Sequence, residues 1–399
     1  MQCNATLAGA VLGKAAPVVF DVRTLWRRLA ELADRRHSRG RRYGLALVLL
    51  LVVLAKLSGE DRPSGIADWI RHRRALLAEG LGLDLIRAPH HNTYRRILAE
   101  AVSPMELDGA IGAFFRQLPE VGRSVLISID GKTIRGTIDT EDPCGTHLLA
   151  AYLPSEGIVL LQLPAGGKDN EIGVAPTLLR ALDLRGKIVA ADAMHTQREL
   201  SAQILAAGGD YLFLVKDNQP TLHEEIALLF SAEDRTVEGG RVEHDFRTAR
   251  QVNKGHGRRE IRQITVSAEL AGYSDWPGLA QVFRLDRERI DTRSGEHECG
   301  VVYGLTSLSP LEASPARLLE LTRAYWGVEN GLHYRRDVTF REDSTRLTKG
   351  EAGHVMASLN NLAIGLLRLA GFTNLAAARR YCDAHLTSTL KPLASTTQT

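Results

Sequence analysis

Cysteine is scarce: Cys3, Cys144, Cys299 and Cys382 lie far apart with no paired spacing. That excludes a disulfide framework and a cysteine-based zinc site, and it suits a reducing cytoplasm. Long apolar runs are missing too. The stretch LALVLLLVVLA, residues 45–55, falls well short of the roughly 20 residues that span a bilayer and reads as a buried core helix. The opening MQCNATLAGAVLGKAAPVV has no basic segment ahead of its apolar residues, so residues 1–20 read as a flexible lead rather than a secretory signal. There is no internal repeat, no low-complexity block and no G-x-S-x-G elbow, which disfavours an acyl or glycosyl hydrolase. The net charge of +3 is too small to argue for nucleic acid by itself.

What is present is organised. With 399 residues, 44% apolar and 24% charged, the chain has material for two or three domains. Its positive charge is concentrated early: residues 21–100 hold sixteen Lys and Arg against nine Asp and Glu. This is either an electrostatic footprint for DNA, with Arg41, Arg42, Arg95 and Arg96 as contacts, or a solvated helix surface. The same region, 21–118, is helical in pattern, with Gly and Pro at the breaks. The segment APHHNTYRRILAEAV resembles the second helix of a helix-turn-helix, with Asn92 or Thr93 as N-cap.

From residue 119 the pattern changes to β-β-β-α-β-α-β: SVLISID, THLLAAYL and GIVLLQLP, a helix over 171–182, KIVAADA, the helix TQRELSAQILAAG, and DYLFLVK. Residues 235–308 alternate as strands and read as a β-rich insertion. A long helix, PARLLELTRAYWGVENGLHYRRD, and a second, GHVMASLNNLAIGLLRLAG, complete a core formed by 119–234 and 309–370. A C-terminal helix and a disordered tail fill 371–399.

Two aspartates end apolar strands. Asp130 lies in ISIDGKTIRG, where Gly131 lets the chain turn and Lys132 and Arg135 add positive charge; Asp192 lies in KIVAADAMHT. Carboxylates so placed line a crevice beside the sheet, although Asp-Gly is also a turn signal and Asp192 could cap the helix after it. Glu329, His333 and Arg336 share one face of the late helix by i, i+4, i+7 spacing, either as an inward site or as a surface salt-bridge stripe. Three carboxylates converging from two strands and a helix repel one another unless divalent cations lie between them. Oxygen ligation with open positions suits Mg2+, and a pair of such ions performs in-line phosphoryl displacement.

These blocks, with KDNEI at 168–172, GGDYLFLVKDNQ at 208–219 and WGVENGLHYRRDVTFREDSTR from Trp326, resemble the DDE transposases of bacterial insertion sequences. The closer resemblance is to the ISAs group, of H-repeat-associated type, over roughly residues 20 to 370. It implies an RNase H-like catalytic core with a β-rich insertion, preceded by an all-helical N-terminal domain for DNA recognition or assembly. Asp130, Asp192 and Glu329 would be the catalytic acids and metal ligands, with Mg2+ as cofactor and Mn2+ substituting. The partners implied are double-stranded DNA, at the element's terminal repeats and at the target, and a second copy of the chain or a larger assembly on paired ends. The wider superfamily carries Arg four residues before the catalytic Glu and Lys seven after it; Tyr325 and Arg336 stand there. Arg336 is expected to grip a phosphate, with Asp337, Glu342 and Asp343 as rival acids.

Further DNA contacts are expected at Lys132, Arg135 and His333, and at the basic turn Lys254, His256, Arg258 and Arg259. Trp276 is either a base-stacking group or plain core. His195 and His333 suit hydrogen bonds better than Mg2+. Asn170 and Glu171 either support the active centre or cap the following helix. The expectation is a cytoplasmic enzyme that cuts element ends and transfers the freed 3′-hydroxyl. The alternatives are a repurposed, silent DNA-binding protein and an RNase H-like nuclease without strand transfer.

Overall fold

The computed structural model describes residues 22–386, except 83–84, 120, 167–169, 232–243 and 256. The expected flexible lead, Lys168 and Asp169 of the KDNEI block, His256 and the tail beyond 386 lie outside the described residues. Among the described residues, six α-helices come first: α1 (Val22–Ala30), α2 (Leu45–Leu57), α3 (Pro63–His72), α4 (Arg74–Leu81), α5 (His91–Arg96) and α6 (Pro104–Arg116). The uniformly apolar α2 sits in the middle, with twelve of its thirteen residues buried. Pro63 and Pro104 start α3 and α6 where a missing N–H costs nothing. The start of α5 departs from expectation: neither Asn92 nor Thr93 caps it, because the His90 imidazole accepts the Asn92 N–H at 3.3 Å. α5 then widens into a π-helical turn, Ile97–Ala101.

The strands form one mixed sheet. They are β1 (Leu126–Ile134), β2 (Thr146–Leu153), β3 (Ile158–Pro164), β4 (Ile188–Ala191), β5 (Asp210–Val215), β6 (Arg247–Gly255), β7 (Arg258–Ser267), β8 (Gln281–Asp291) and β9 (His297–Thr306), in the order β3-β2-β1-β4-β5-β9-β8-β7-β6. β1, β2 and β3 are antiparallel neighbours, β1, β4 and β5 run parallel, and α7 (Glu171–Arg180) and α8 (Arg198–Ala206) make the crossovers. The region expected as a β-rich insertion is β-rich, and it hydrogen-bonds to the edge of β5 through β9. That pairing satisfies backbone groups that an open edge would leave free.

Both faces of the sheet are covered. On one, Ile127, Ile129, Val189, Ala191, Phe213 and Val215 pack with α7, α8 and α9 (Pro220–Ser231). On the other, Leu126, Ile188, Ala190, Leu212 and Leu214 meet α10 (Pro315–Tyr325). Beside α10, the opening helices, α11 (Ala352–Leu369) and α12 (Leu375–Ala384) share a single core with Ala150, Tyr152, Ile158 and Val159 of β2 and β3. The helical region is therefore packed against the sheet rather than standing apart. Among the described residues no helix is long and apolar enough to cross a membrane.

A buried charge network crosses that shared core. Lys56, fully buried on α2, donates to Asn360 Oδ1 of α11 at 2.6 Å and lies 3.8 Å from Asp61, which pairs with Arg379 of α12 at 2.6 Å. Burial pulls the Lys56 ammonium down to about 8 from 10.5. The unfolded chain thus holds this proton more tightly, and the buried charge costs about 3 kcal/mol below pH 8. That cost is relieved as the pH rises from 8 towards 10.5. Lys56→Met has no proton to lose there, so its stability relative to wild type should fall by about 2–3 kcal/mol between pH 7 and pH 10. Urea midpoints would show this; a difference that does not change with pH would mean an ordinary lysine.

Candidate active site

The register of β1 and β4 brings the two strand aspartates together. Leu126 pairs with Ile188, Ile127 with Val189 and Ser128 with Ala190, after which the ladder stops. Two residues beyond Ser128 and Ala190 stand Asp130, within β1, and Asp192, just past the end of β4; the two-residue alternation of strands puts Asp130 on the face of Leu126. The sequence suggested that Gly131 turns the chain after Asp130, but β1 continues, paired with β2, to Ile134. Gly131 has another cause. A Cβ there would collide with the carboxylate of Glu171 at the start of α7, so only glycine lets this group close behind the site. Asp192 Oδ1 accepts the Met194 N–H at 3.1 Å and caps the short turn Ala193–His195, while α8 starts later, at Arg198.

The third candidate acid, Glu329, lies on the segment after α10. The expected long helix ends at Tyr325, and two π-helical turns, Glu329–His333 and Arg335–Thr339, follow. Such wide turns are rare and occur often at functional sites. His333 Nδ1 stands 3.5 Å from Glu329 Oε2 and 3.6 Å from Asp130 Oδ2. One ligand atom from each of Asp130, Glu329 and His333 falls within 4.8 Å of the others; Asp192 lies outside that close group. The π geometry also breaks the expected stripe. Arg336 is fully buried and donates through Nε to both carboxylate oxygens of Glu342 at 2.9 Å. It has no surface from which to grip a phosphate, and that expectation is corrected. Glu342, once a rival acid, is engaged by Arg336 and by Asn360 Nδ2 at 2.8 Å.

The electrostatics single out the same place. Burial raises the Asp130 carboxyl to about 6, with His333 opposing and the charges of Asp192 and Glu171 adding to the rise. Burial pushes the Tyr325 phenol well above its usual range, reinforced by the charges of Asp130, Asp192 and Glu171. Glu329, 71% exposed, is held below its usual range by its hydrogen bond with His333. The nearby cation Lys132 is bound to Asp337 at 2.7 Å. Converging carboxylates with little countercharge are a donor set that a divalent cation fits.

Comparison with known proteins now decides the family. Residues 122–366 match the family described as Transposase DDE domain, and residues 26–115 match its companion, described as DDE_Tnp_1-associated. This chain belongs to the DDE transposase family. Its relatives include YbfL of Escherichia coli strain K12, 30% identical over 87% of this chain and 91% of that one. The H repeat-associated protein YhhI of the same strain is 29% identical over the same shares, and the transposase is of this H-repeat type. A piggyBac transposase synaptic complex with hairpin DNA aligns at 10% identity and a TM-score of 0.42, over 94% of this chain and 80% of that one, too distant a likeness to bear on the site. Membership implies use of a divalent metal.

Glu171 is the residue that sequence reasoning left undecided. Only 4% exposed, it shares hydrogen bonds with His147 Nε2 at 2.7 Å and His195 Nε2 at 3.2 Å. Burial pushes its carboxyl up, but these two hydrogen bonds win and hold it at about 2. Glu171 thus ties β2 and the Asp192 turn behind Asp130, a supporting role rather than a helix cap. Asn170 makes no cap either; its side chain donates to the Gly166 carbonyl. Trp276 is core, 5% exposed with Nε1 on Ser201 Oγ, and cannot stack on a base. Lys254, Arg258 and Arg259 lie at the β6–β7 hairpin, on the far edge of the sheet from β1. Arg41 spends its guanidinium on the carbonyls of Asp34 and Arg36, and Arg42 lies over the Tyr43 ring. Arg135 offers its backbone N–H to Asp343 at 3.0 Å. Arg95 and Arg96 are exposed on α5.

Proposed function

We propose that this transposase cuts the ends of an insertion element in double-stranded DNA and joins the freed 3′-hydroxyl to target DNA, with Asp130, Asp192 and Glu329 as its catalytic acids. The supporting observation is that Asp130 of β1 and Glu329 of the segment after α10 approach a shared His333, while the charge of Asp192, just beyond β4, bears on Asp130. The order β3-β2-β1-β4-β5, reached through β-β-β-α-β-α-β, supports an RNase H-like core over 119–234 and 309–370. In this reading 21–118 recognises DNA or assembles two copies on paired ends, and 235–308 is an insertion that extends the core sheet. Mg2+, with Mn2+ as substitute, is the cofactor that the oxygen-rich donor set favours. When bound, paired ions supply activation of the attacking oxygen and charge for the leaving oxygen of an in-line displacement.

The chain's own groups position the acids. His333 bridges Glu329 and Asp130 from a buried position, so the exposed Glu329 is held beside Asp130. Glu171, through His147 on β2 and His195 in the turn after Asp192, ties β2 to that turn behind Gly131. Substrate phosphate enters from the open side, where Glu329 is exposed.

A cleavage and strand-transfer assay tests this, using DNA from the element's own flanks with Mg2+ or Mn2+. Wild type is expected to give joined products and Glu329→Gln none. Cleavage without joining would favour the nuclease reading, and binding without cutting would favour a repurposed DNA-binding protein. If Glu329→Gln still cuts, the third acid has been misassigned.

A further inference from the structure

Beyond the acids, the chain segment that carries Glu329 goes on to build one wall of a separate cleft. After the π-helical turns it makes a tight turn, Glu342–Ser344, and runs to α11. Arg341 and Arg346, with φ of 50° and 48°, are the positive-φ residues other than glycine among those described. Such backbone is costly and persists only where its surroundings over-determine it. Here the cause is visible: Glu342, between them, is locked to buried Arg336 and Asn360. What the strained turn presents outward is Arg346 and, three residues on, Lys349, both exposed.

Facing them across a cleft of about 1070 Å3 are Arg95 and Arg96 of α5, with Arg62 closing one end by donating to the Ser344 carbonyl at 3.2 Å. Five cationic side chains thus line it against the acids Glu100 and Asp343, and an oxygen of Asp343 already accepts the Arg135 N–H. Among the described residues, the side chains of Arg95, Arg96, Arg346 and Lys349 have no acidic or hydrogen-bonding partner. Elsewhere on the surface Arg28, Arg71, Arg185 and Arg317 each hold an acid. Four unpaired cations converging on one groove repel one another and call for an extended polyanion. The groove adjoins the far end of β1, where Arg135 meets Asp343, five residues from Asp130. That is roughly 16 Å along an extended strand, or about five steps of a B-form DNA strand.

We propose that this cleft carries the phosphate backbone of one DNA strand leading away from the acids, with Arg95 and Arg96 on one wall and Arg346 and Lys349 on the other. The inference rests on the transposase reading and adds to it the path of the DNA. The contacts are charge to phosphate and independent of base sequence.

The test uses the full-length protein and a fluorescent 30-base-pair duplex of arbitrary sequence. Binding is measured from 50 to 300 mM salt for wild type, for Arg346→Ala with Lys349→Ala, and for Arg185→Ala as control. Losing two phosphate contacts should flatten the log-log salt slope by about 1.8 and weaken binding roughly thirtyfold near 0.15 M salt, with the control unchanged. Independently of any variant, acetylation of Lys349 in wild type, read by mass spectrometry, should be suppressed by the duplex. If wild type binds the duplex while the double variant keeps its slope and Lys349 stays reactive, the cleft is not the path, and the transposase reading stands. If wild type binds no duplex, both fall. Protection of Lys349 that rises with protein concentration alone would overturn the proposal in favour of contact between copies.

Discussion

Asp130→Asn is expected to lower cleavage by at least about a thousandfold while making the metal-free protein more stable. The two effects share one cause. In the folded chain burial raises this carboxyl to about 6 from 3.8, so ionising it there is unfavourable. Because the folded value is the higher, the penalty is absent below pH 3.8, grows through the interval up to 6 and is fully present above it, where it amounts to about 3 kcal/mol at most. The amide has nearly the carboxylate's shape and none of its charge, so the variant escapes that cost. It also loses the charge that draws a divalent ion, and about 4 kcal/mol of lost transition-state stabilisation corresponds to the thousandfold fall. At pH 8 in EDTA, thermal melting should therefore rank the variant at or above wild type. Adding Mn2+ should raise the wild-type midpoint and leave the variant's nearly unmoved. Asp192→Asn should be equally inactive. Full activity in either variant would remove that residue from the site, and inactivity with a collapsed melting point would show that the loss came from unfolding instead.

The strand aspartates were conspicuous because each follows an apolar run, although β1 continues past Asp130 to Ile134 and only Asp192 stands where its strand ends. The β-β-β-α-β-α-β order was legible for the same reason: buried strands and amphipathic helices carry different periods. Glu171 was not. Its meaning depends on His147, 24 residues before it, and on His195, 24 after it, meeting behind Gly131, and no local pattern announces that. The π-helical turns were hidden because an i, i+4 pair such as Glu329 and His333 fits an ordinary helix equally well. Extending that ordinary helix by three residues is what misplaced Arg336 on the face of Glu329 and His333. Nor could strand patterning alone show that residues 247–306 join the core sheet, since that depends on β5 having an unpaired edge at the right place. In the same way α2 announced itself as buried but did not say against what. α11, three hundred residues later, supplies Asn360 for the Lys56 ammonium that a core helix would otherwise avoid.

Arg336 and Glu342 carry the second large effect, on stability rather than on chemistry. Both are buried and paired with each other, so truncating either leaves an uncompensated charge in the core. Arg336→Ala and Glu342→Ala should each cost about 3–5 kcal/mol, whereas the apolar pair Arg336→Met with Glu342→Leu should recover most of that loss. Chemical denaturation of the single and double variants measures it, and a double variant no better than the singles would deny the pair its buried character. The same variants separate two kinds of inactivity. Glu342→Ala should lose cleavage in proportion to the fraction unfolded and regain it at low temperature, unlike Asp130→Asn, which stays folded and inactive. A folded, inactive Glu342→Gln that also fails to respond to Mn2+ would instead restore Glu342 as a ligand. The double variant carries one more consequence. Arg341 and Arg346 keep their costly backbone conformation on either side of the paired Glu342, so a stable but apolar replacement is expected to let the turn relax. Salt-dependent DNA binding would then weaken in a protein whose catalytic acids are untouched.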